Sequence, residues 1–217
     1  MVSIKQILAD CFSLSGNISI RNEIIGFGTV SLLELIRLLK NNQHIRLHIK
    51  IITNTTTFTL DQMVDAFRQL YHSIGIGVIV RSVENLNLPS SFMDIDVGNC
   101  QMGQTTNEQN QLFNNRNNVV GNDIVVYFVR STVPAFNGCA AFPANRPGAI
   151  VVRTASQWTL AHEVGHVLGL PHVDASPNCL LDRLMTGCGT FNITNPPPDL
   201  IQSEVSTMNN SQLTVTC

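Results

Sequence analysis

The run His162-Glu163-Val164-Gly165-His166-Val167-Leu168-Gly169-Leu170-Pro171-His172 brings three imidazoles and a carboxylate together at spacings that chemistry can use. On a helix, residues four apart sit one turn apart on the same face. His162 and His166 can therefore aim two ring nitrogens at one point, each roughly 2.0–2.1 Å away, as zinc requires. Glu163 follows the first histidine and can lean over that point without binding the ion. A carboxylate there can take a proton from a water that the metal has acidified to a pKa of about 7. Gly169 supplies the left-handed conformation that ends the helix at little cost, and the turn returns His172 as a third ligand. Three protein ligands leave a fourth position for water and substrate, the pattern of a catalytic site and not a structural one. Ordinary residue abundances make five such positions a chance event on the order of 10⁻⁵ in a chain of this size. An amphipathic helix with two surface histidines explains the run less well, because Ala161, Val164, Val167 and Leu168 make the remainder apolar.

This run, followed by Leu184-Met185-Thr186-Gly187, resembles the metzincin clan of zinc endopeptidases, whose signature is the same histidine pattern with a downstream Met-turn. The resemblance covers roughly residues 44–217. It implies an α+β fold with a zincin-type catalytic domain: a mostly parallel twisted sheet, an antiparallel edge strand, an active-site helix and a small C-terminal subdomain. It assigns one catalytic Zn²⁺ to His162, His166 and His172, the general base to Glu163, and an apolar floor under the imidazoles to Met185. By the same analogy the edge strand over 138–142, with Gly138, Cys139 and Ala140, pairs with a peptide substrate as an added strand. Thr186 and Gly187, the residues on to Phe191, and Trp158 and Thr159 are candidate pocket walls. Two departures stand out: Val173 follows the third histidine, and Gly187, not tyrosine, lies two residues past the methionine. The short interval from His172 to Met185 is similar to matrixins and to small reprolysin-like enzymes, and both subfamilies stay open.

The elements that must position this run are legible in part. Ile45, Leu47, Ile49 and Ile51 alternate with Arg46, His48 and Lys50 as in a strand. A helix follows, opened by a Thr59-x-x-Gln62 capping box, with Met63, Val64, Phe67, Leu70 and Tyr71 on its apolar stripe. Residues 76–83 read as a second strand, and strand–helix–strand predicts a parallel pair. His44, His48 and His72 are expected at the surface or half-buried, away from any metal. Residues 84–122 are rich in Asn and Gln and predict a long excursion with a short helix over 108–116. The apolar run over 123–129 predicts a strand covered on both faces, and 136–142 and 149–152 predict two more. Ser156 is placed to cap the histidine helix, which should run to Leu168. A closing helix is expected around Leu200, Ile201, Val205 and Met208, after the proline run at 196–198. Residues 1–43, with an amphipathic helix over 31–40, form an N-terminal extension that the resemblance leaves unexplained: a pro-segment or an accessory element. Residues 44–172 then make an upper subdomain and 173–217 a lower one.

The chain has 217 residues, 44% of them hydrophobic and 13% charged, which predicts a packed globular domain. A net charge of −2 with scattered Lys and Arg gives no basis for nucleic-acid binding, and no apolar run is long enough to span a membrane. The expected partner is a protein or peptide substrate met by a monomer. Six cysteines without a C-x-x-C pair point to disulfides and a secreted protein. No signal peptide is legible in the first sixteen residues. Cys100–Cys139, Cys179–Cys188 and a terminal Cys11–Cys217 staple are one pairing among the fifteen that six cysteines allow. Asp94, Asp96, Asp174 and Asp182 are candidate calcium ligands, with solvated loop acids as the plainer account. Asn54, Asn192 and Asn209 stand in glycosylation sequons. The expected activity is zinc-dependent peptide-bond hydrolysis. The alternatives are a silent zinc-binding protein on the same scaffold and a latent enzyme blocked by residues 1–43.

Overall fold

The computed structural model describes residues 43–216. The helix expected over 31–40, Cys11 and the Cys11–Cys217 pairing lie outside the described residues. Strand β1 (Gln43–Ile51), helix α1 (Leu60–Ser73) and strand β2 (Ile76–Asn85) form the first unit, with β1 and β2 paired in parallel. Helix α1 starts where its sequence says: Gln62 N–H donates to the Thr59 hydroxyl at 3.2 Å, and Thr59 N–H donates to the Gln62 side chain at 2.8 Å. Such a cap contributes about 1 kcal/mol. The stripe Met63, Val64, Phe67, Leu70 and Tyr71 is buried throughout.

The alternation in β1 marks two faces, but neither is solvent-exposed. Ile45, Leu47 and Ile49 enter the core, yet His44, His48 and Lys50 are buried as well, which corrects the expectation of surface or half-buried histidines at 44 and 48. The polar face is covered in part by residues 117–123, which lead into the strand that begins at Ile124. There the His48 ring lies between the Ser82 hydroxyl at 2.7 Å and the Asp123 carboxylate at 3.3 Å. Arg46 pairs with the same carboxylate at 2.7 Å. Lys50 is held by Glu84 and by the Asn117 carbonyl at 2.8 Å. Buried charge is tolerated only with such partners.

The excursion over 84–122 carries strand β3 (Asp94–Asp96) and helix α2 (Asn107–Leu112), the latter shorter than expected. Strand β4 (Ile124–Val129) is buried at every residue because it lies mid-sheet. Strand β5 (Ser131–Val133) pairs in parallel with β3 in a separate two-stranded sheet that local patterning did not reveal. Strand β6 is only Gly138–Cys139, not 136–142, and lies antiparallel to β7 (Gly148–Val152). Side chains capture the backbone on either flank of β6. Phe136 N–H donates to the Thr132 hydroxyl at 2.8 Å, and the Ala141 carbonyl accepts from the Gln109 amide at 3.1 Å.

The main sheet runs β2-β1-β4-β7-β6, parallel along this path except at the β6 edge, and a sixth strand pairs antiparallel with β1. It is a mixed α/β fold with a mostly parallel sheet. Helix α3 (Thr159–Val167) packs on β7 and against α1, where the buried Tyr71 hydroxyl donates to the Ala161 carbonyl at 3.0 Å. It begins three residues after Ser156, and Ser156 does not cap it as expected: the N-cap is Trp158, with no side-chain cap, and the Ser156 hydroxyl accepts from Trp158 N–H at 3.3 Å in the preceding turn. The chain closes with helix α4 (Gln202–Asn209) and strand β8 (Thr214–Thr216). Strand β8 was not foreseen; it pairs antiparallel with Gln43–Ile45, while β4 takes Leu47–Ile51 on the same edge of β1. Cys100 bonds to Cys139 and Cys179 to Cys188, as expected. No helix among the described residues is long and apolar enough to cross a membrane.

Candidate metal centre

Helix α3 presents His162 and His166 from successive turns, and Gly169 at φ +102° ends it in the left-handed region. The chain then doubles back to bring in His172. The three Nε2 atoms form a near-equilateral triangle: 3.1 Å from His166 to His162, 3.1 Å from His166 to His172, and 3.2 Å from His162 to His172. A point about 1 Å out of that plane lies roughly 2.0–2.1 Å from all three nitrogens, the zinc–imidazole distance. Among the described residues this is the group of histidine, cysteine or acidic side chains whose donor atoms converge.

Hydrogen bonds on the far side of two rings fix which nitrogen carries the proton. His162 Nδ1 lies 2.7 Å from the Leu184 carbonyl, and His166 Nδ1 lies 2.6 Å from the Leu170 carbonyl. A carbonyl oxygen only accepts, so Nδ1 bears hydrogen and Nε2 bears a lone pair. Burial, with the neighbouring His166, holds His162 down to about 3; burial likewise holds His166 down to about 4. Lone pairs crowded to 3.1 Å repel unless a cation lies between them. The donor set thus fits a divalent ion that prefers neutral imidazole. His172 has no Nδ1 partner among the described residues. It depends on its chain segment, where Val173 N–H donates to the Met185 carbonyl at 3.0 Å.

Asp174 is the residue the sequence reading missed, having weighed it only for calcium. Its carboxylate accepts from Gly187 N–H at 2.6 Å, from the Thr186 hydroxyl at 3.1 Å, and from Leu180 N–H. Burial works to raise its pKa, but these hydrogen bonds outweigh burial and leave it below the usual carboxylate value. The carboxylate therefore ties the third histidine's segment to the turn after Met185, one position past Val173. Asp94 is paired with Arg130, Asp96 accepts from Gly98 N–H, and Asp182 accepts from the Thr194 hydroxyl. None of these carboxylates joins a converging group.

Met185 is fully buried. Its sulfur lies against the helix at Gly165, where a Cβ would stand 2.7 Å from Sδ. Gly187 is equally confined: a Cβ there would meet the Asp174 carbonyl oxygen at 2.5 Å and the His172 ring at 3.4 Å.

The three histidines open into a cleft of about 710 Å³ that Glu163 also lines. Burial alone pushes the Glu163 carboxyl up to about 8, so it can hold or release a proton near neutral pH. Gly138 of β6 and Ala140 just after it line the cleft, and Thr159, Thr186, Gly187 and Thr190 line it from other walls. Cys139 is not in the lining, because side chains alternate along a strand and its sulfur turns to Cys100. Trp158 and Phe191 are likewise outside it, and Trp158 packs against the core.

No protein-family model and no curated protein sequence matches the chain. Solved structures do. Metalloproteinase-II from Bacteroides fragilis superimposes with a TM-score of 0.54 at 15% identity, over 78% of this chain and 53% of that one. This chain thus spans about half the length of that protein. An archaemetzincin from Methanopyrus kandleri gives a TM-score of 0.49 at 16% identity, over 76% of this chain and 94% of that one. A zinc-dependent peptidase from Methanocorpusculum labreanum gives 0.47 at 12% identity, over 75% and 100%. The likeness to the Bacteroides fragilis protein is one of fold.

Proposed function

We propose that this chain is a zinc-dependent endopeptidase that hydrolyses peptide bonds in protein or peptide substrates. The observation that carries this reading is the convergence of three Nε2 lone pairs in a cleft that also holds a buried, otherwise uncommitted glutamate. A fold shared with a protein described as a metalloproteinase supports it. His162, His166 and His172 would hold the zinc as neutral imidazoles. When bound, zinc supplies the Lewis acidity that polarises a carbonyl and eases deprotonation of water. Glu163 takes that proton on its carboxylate and hands it to the departing amine. The backbone of β6 at Gly138 and Cys139, continued to Ala140, aligns the substrate as an added strand, with Thr186 and Gly187 on the facing wall and Met185 packed beneath. Residues 44–172 act as the upper subdomain and 173–217 as the lower, with 1–43 as an N-terminal extension. The chain works as a secreted monomer.

Replacing Glu163 with alanine is the test. Zinc content should stay at one per chain while cleavage of casein falls by several orders of magnitude, and a chelator should abolish cleavage in the parent. Full activity in E163A would remove Glu163 from the mechanism. A zinc-loaded parent that cleaves nothing, intact or trimmed before residue 44, would leave binding as the function.

A further inference from the structure

We propose that Gly138 is a positioning residue that holds the Glu163 carboxylate in place by having no side chain. A Cβ built on Gly138 would stand 2.6 Å from both Cγ and Cδ of Glu163, and nearer still to Oε1. Contacts between carbon atoms settle near 3.5–4.0 Å, so a single methyl group at 138 overlaps the glutamate by about 1 Å. One of the two must move.

The strand cannot. Gly138 is paired with Val151 and Cys139 with Ile150. Asn137 accepts from Val152 N–H at 3.0 Å on one side, and the Gln109 amide holds the Ala141 carbonyl at 3.1 Å on the other. The Cys100 disulfide fastens the next residue. Glu163, by contrast, is a flexible side chain, and because the overlap includes Cγ it must swing from its Cα–Cβ bond, carrying the carboxylate with it. The cheap response is for that carboxylate to retreat, leaving the fold and the histidines where they are. A glycine at this point in the edge strand thus acts through Glu163, separately from any backbone pairing with substrate.

The kinetic consequence rests on the peptidase reading. A displacement of about 1 Å costs on the order of 10²-fold in rate, so Gly138→Ala should lower kcat about 100-fold. KM should stay within about threefold and zinc should remain at one per chain. Crystal structures of the parent and G138A supply a readout that needs no turnover: the carboxylate should shift by about 1 Å while β6 stays in register. A parent without peptidase activity would refute the reading of function and leave this displacement still measurable. Glu163→Ala, which ends at Cβ and so removes every atom in the way, is the second variant. G138A should lower the melting temperature more in the parent than in the E163A background, since no side chain remains there to displace. An unmoved carboxylate, a loss confined to KM, or an equal melting-temperature change in both backgrounds would each overturn the proposal. So would G138A with full kcat.

Discussion

Asp174→Asn tests how the third histidine is held. The parent carboxylate presents Oδ1 to Gly187 N–H and Oδ2 to Leu180 N–H, with the Thr186 hydroxyl 3.1 Å from each oxygen. Asparagine keeps one of those oxygens and replaces the other with an amino group, which then faces a backbone N–H donor to donor. A hydrogen bond to a charged group contributes about 1.5–3 kcal/mol. Asp174 is only partly buried, so solvent screening reduces the loss to about 1–2 kcal/mol. His162 and His166 are anchored by the Leu184 and Leu170 carbonyls and should not notice. The loss therefore falls on the arrangement that offers His172 to the ion. At 1.4 kcal/mol per tenfold, zinc affinity should drop about 5–30-fold. The assay is competition against a calibrated chelating dye, with thermal melting in excess chelator as the control for the apo fold. The melting temperature of the apo protein should shift by no more than a few degrees, because Asp174 is itself only half-buried and the core side chains of its segment, Leu184 and Met185, are left in place. A zinc Kd within twofold of the parent would refute the reasoning, as would an apo protein that unfolds outright.

Two further substitutions probe what holds the cleft. Replacing Cys100 and Cys139 together with serine opens a loop of 39 residues and should cost about 4 kcal/mol on the chain-entropy account, read by denaturant unfolding; an unchanged midpoint would contradict it. Tyr71→Phe removes the donor to the Ala161 carbonyl and should destabilise by about 1 kcal/mol without altering zinc stoichiometry, as calorimetry and metal analysis would show.

The histidine run could be read from sequence because helical geometry alone fixes the relation of His162 to His166, and one glycine fixes the exit. The apolar run over 123–129 likewise announced a strand covered on both faces, as β4 is from Ile124 on. Features that depend on partners far along the chain were not readable. The polar residues of β1 look solvent-facing locally, yet Asp123 and Asn117 meet His48 and Lys50 beneath a covering segment. The edge strand was expected to be longer because nothing in residues 136–142 reveals that Thr132 and Gln109 will take up their backbone groups. Asp174 escaped notice because the family pattern directs attention to position 173, whereas here the carboxylate comes one residue later and reaches the same turn. Strand β8 carries no local sign that its partner is β1.

That last pairing has a consequence for how the molecule is made. A third of one edge of β1 finds its hydrogen-bond partners only in Thr214–Thr216, at the other end of the described chain. During synthesis the amides and carbonyls that Gln43–Ile45 turn to this edge must wait, uncovered, until Thr214–Thr216 have emerged. A ribosome stalled before residue 214 would hold the other strands of this sheet with a raw seam beside the central ones, open to any stray extended peptide.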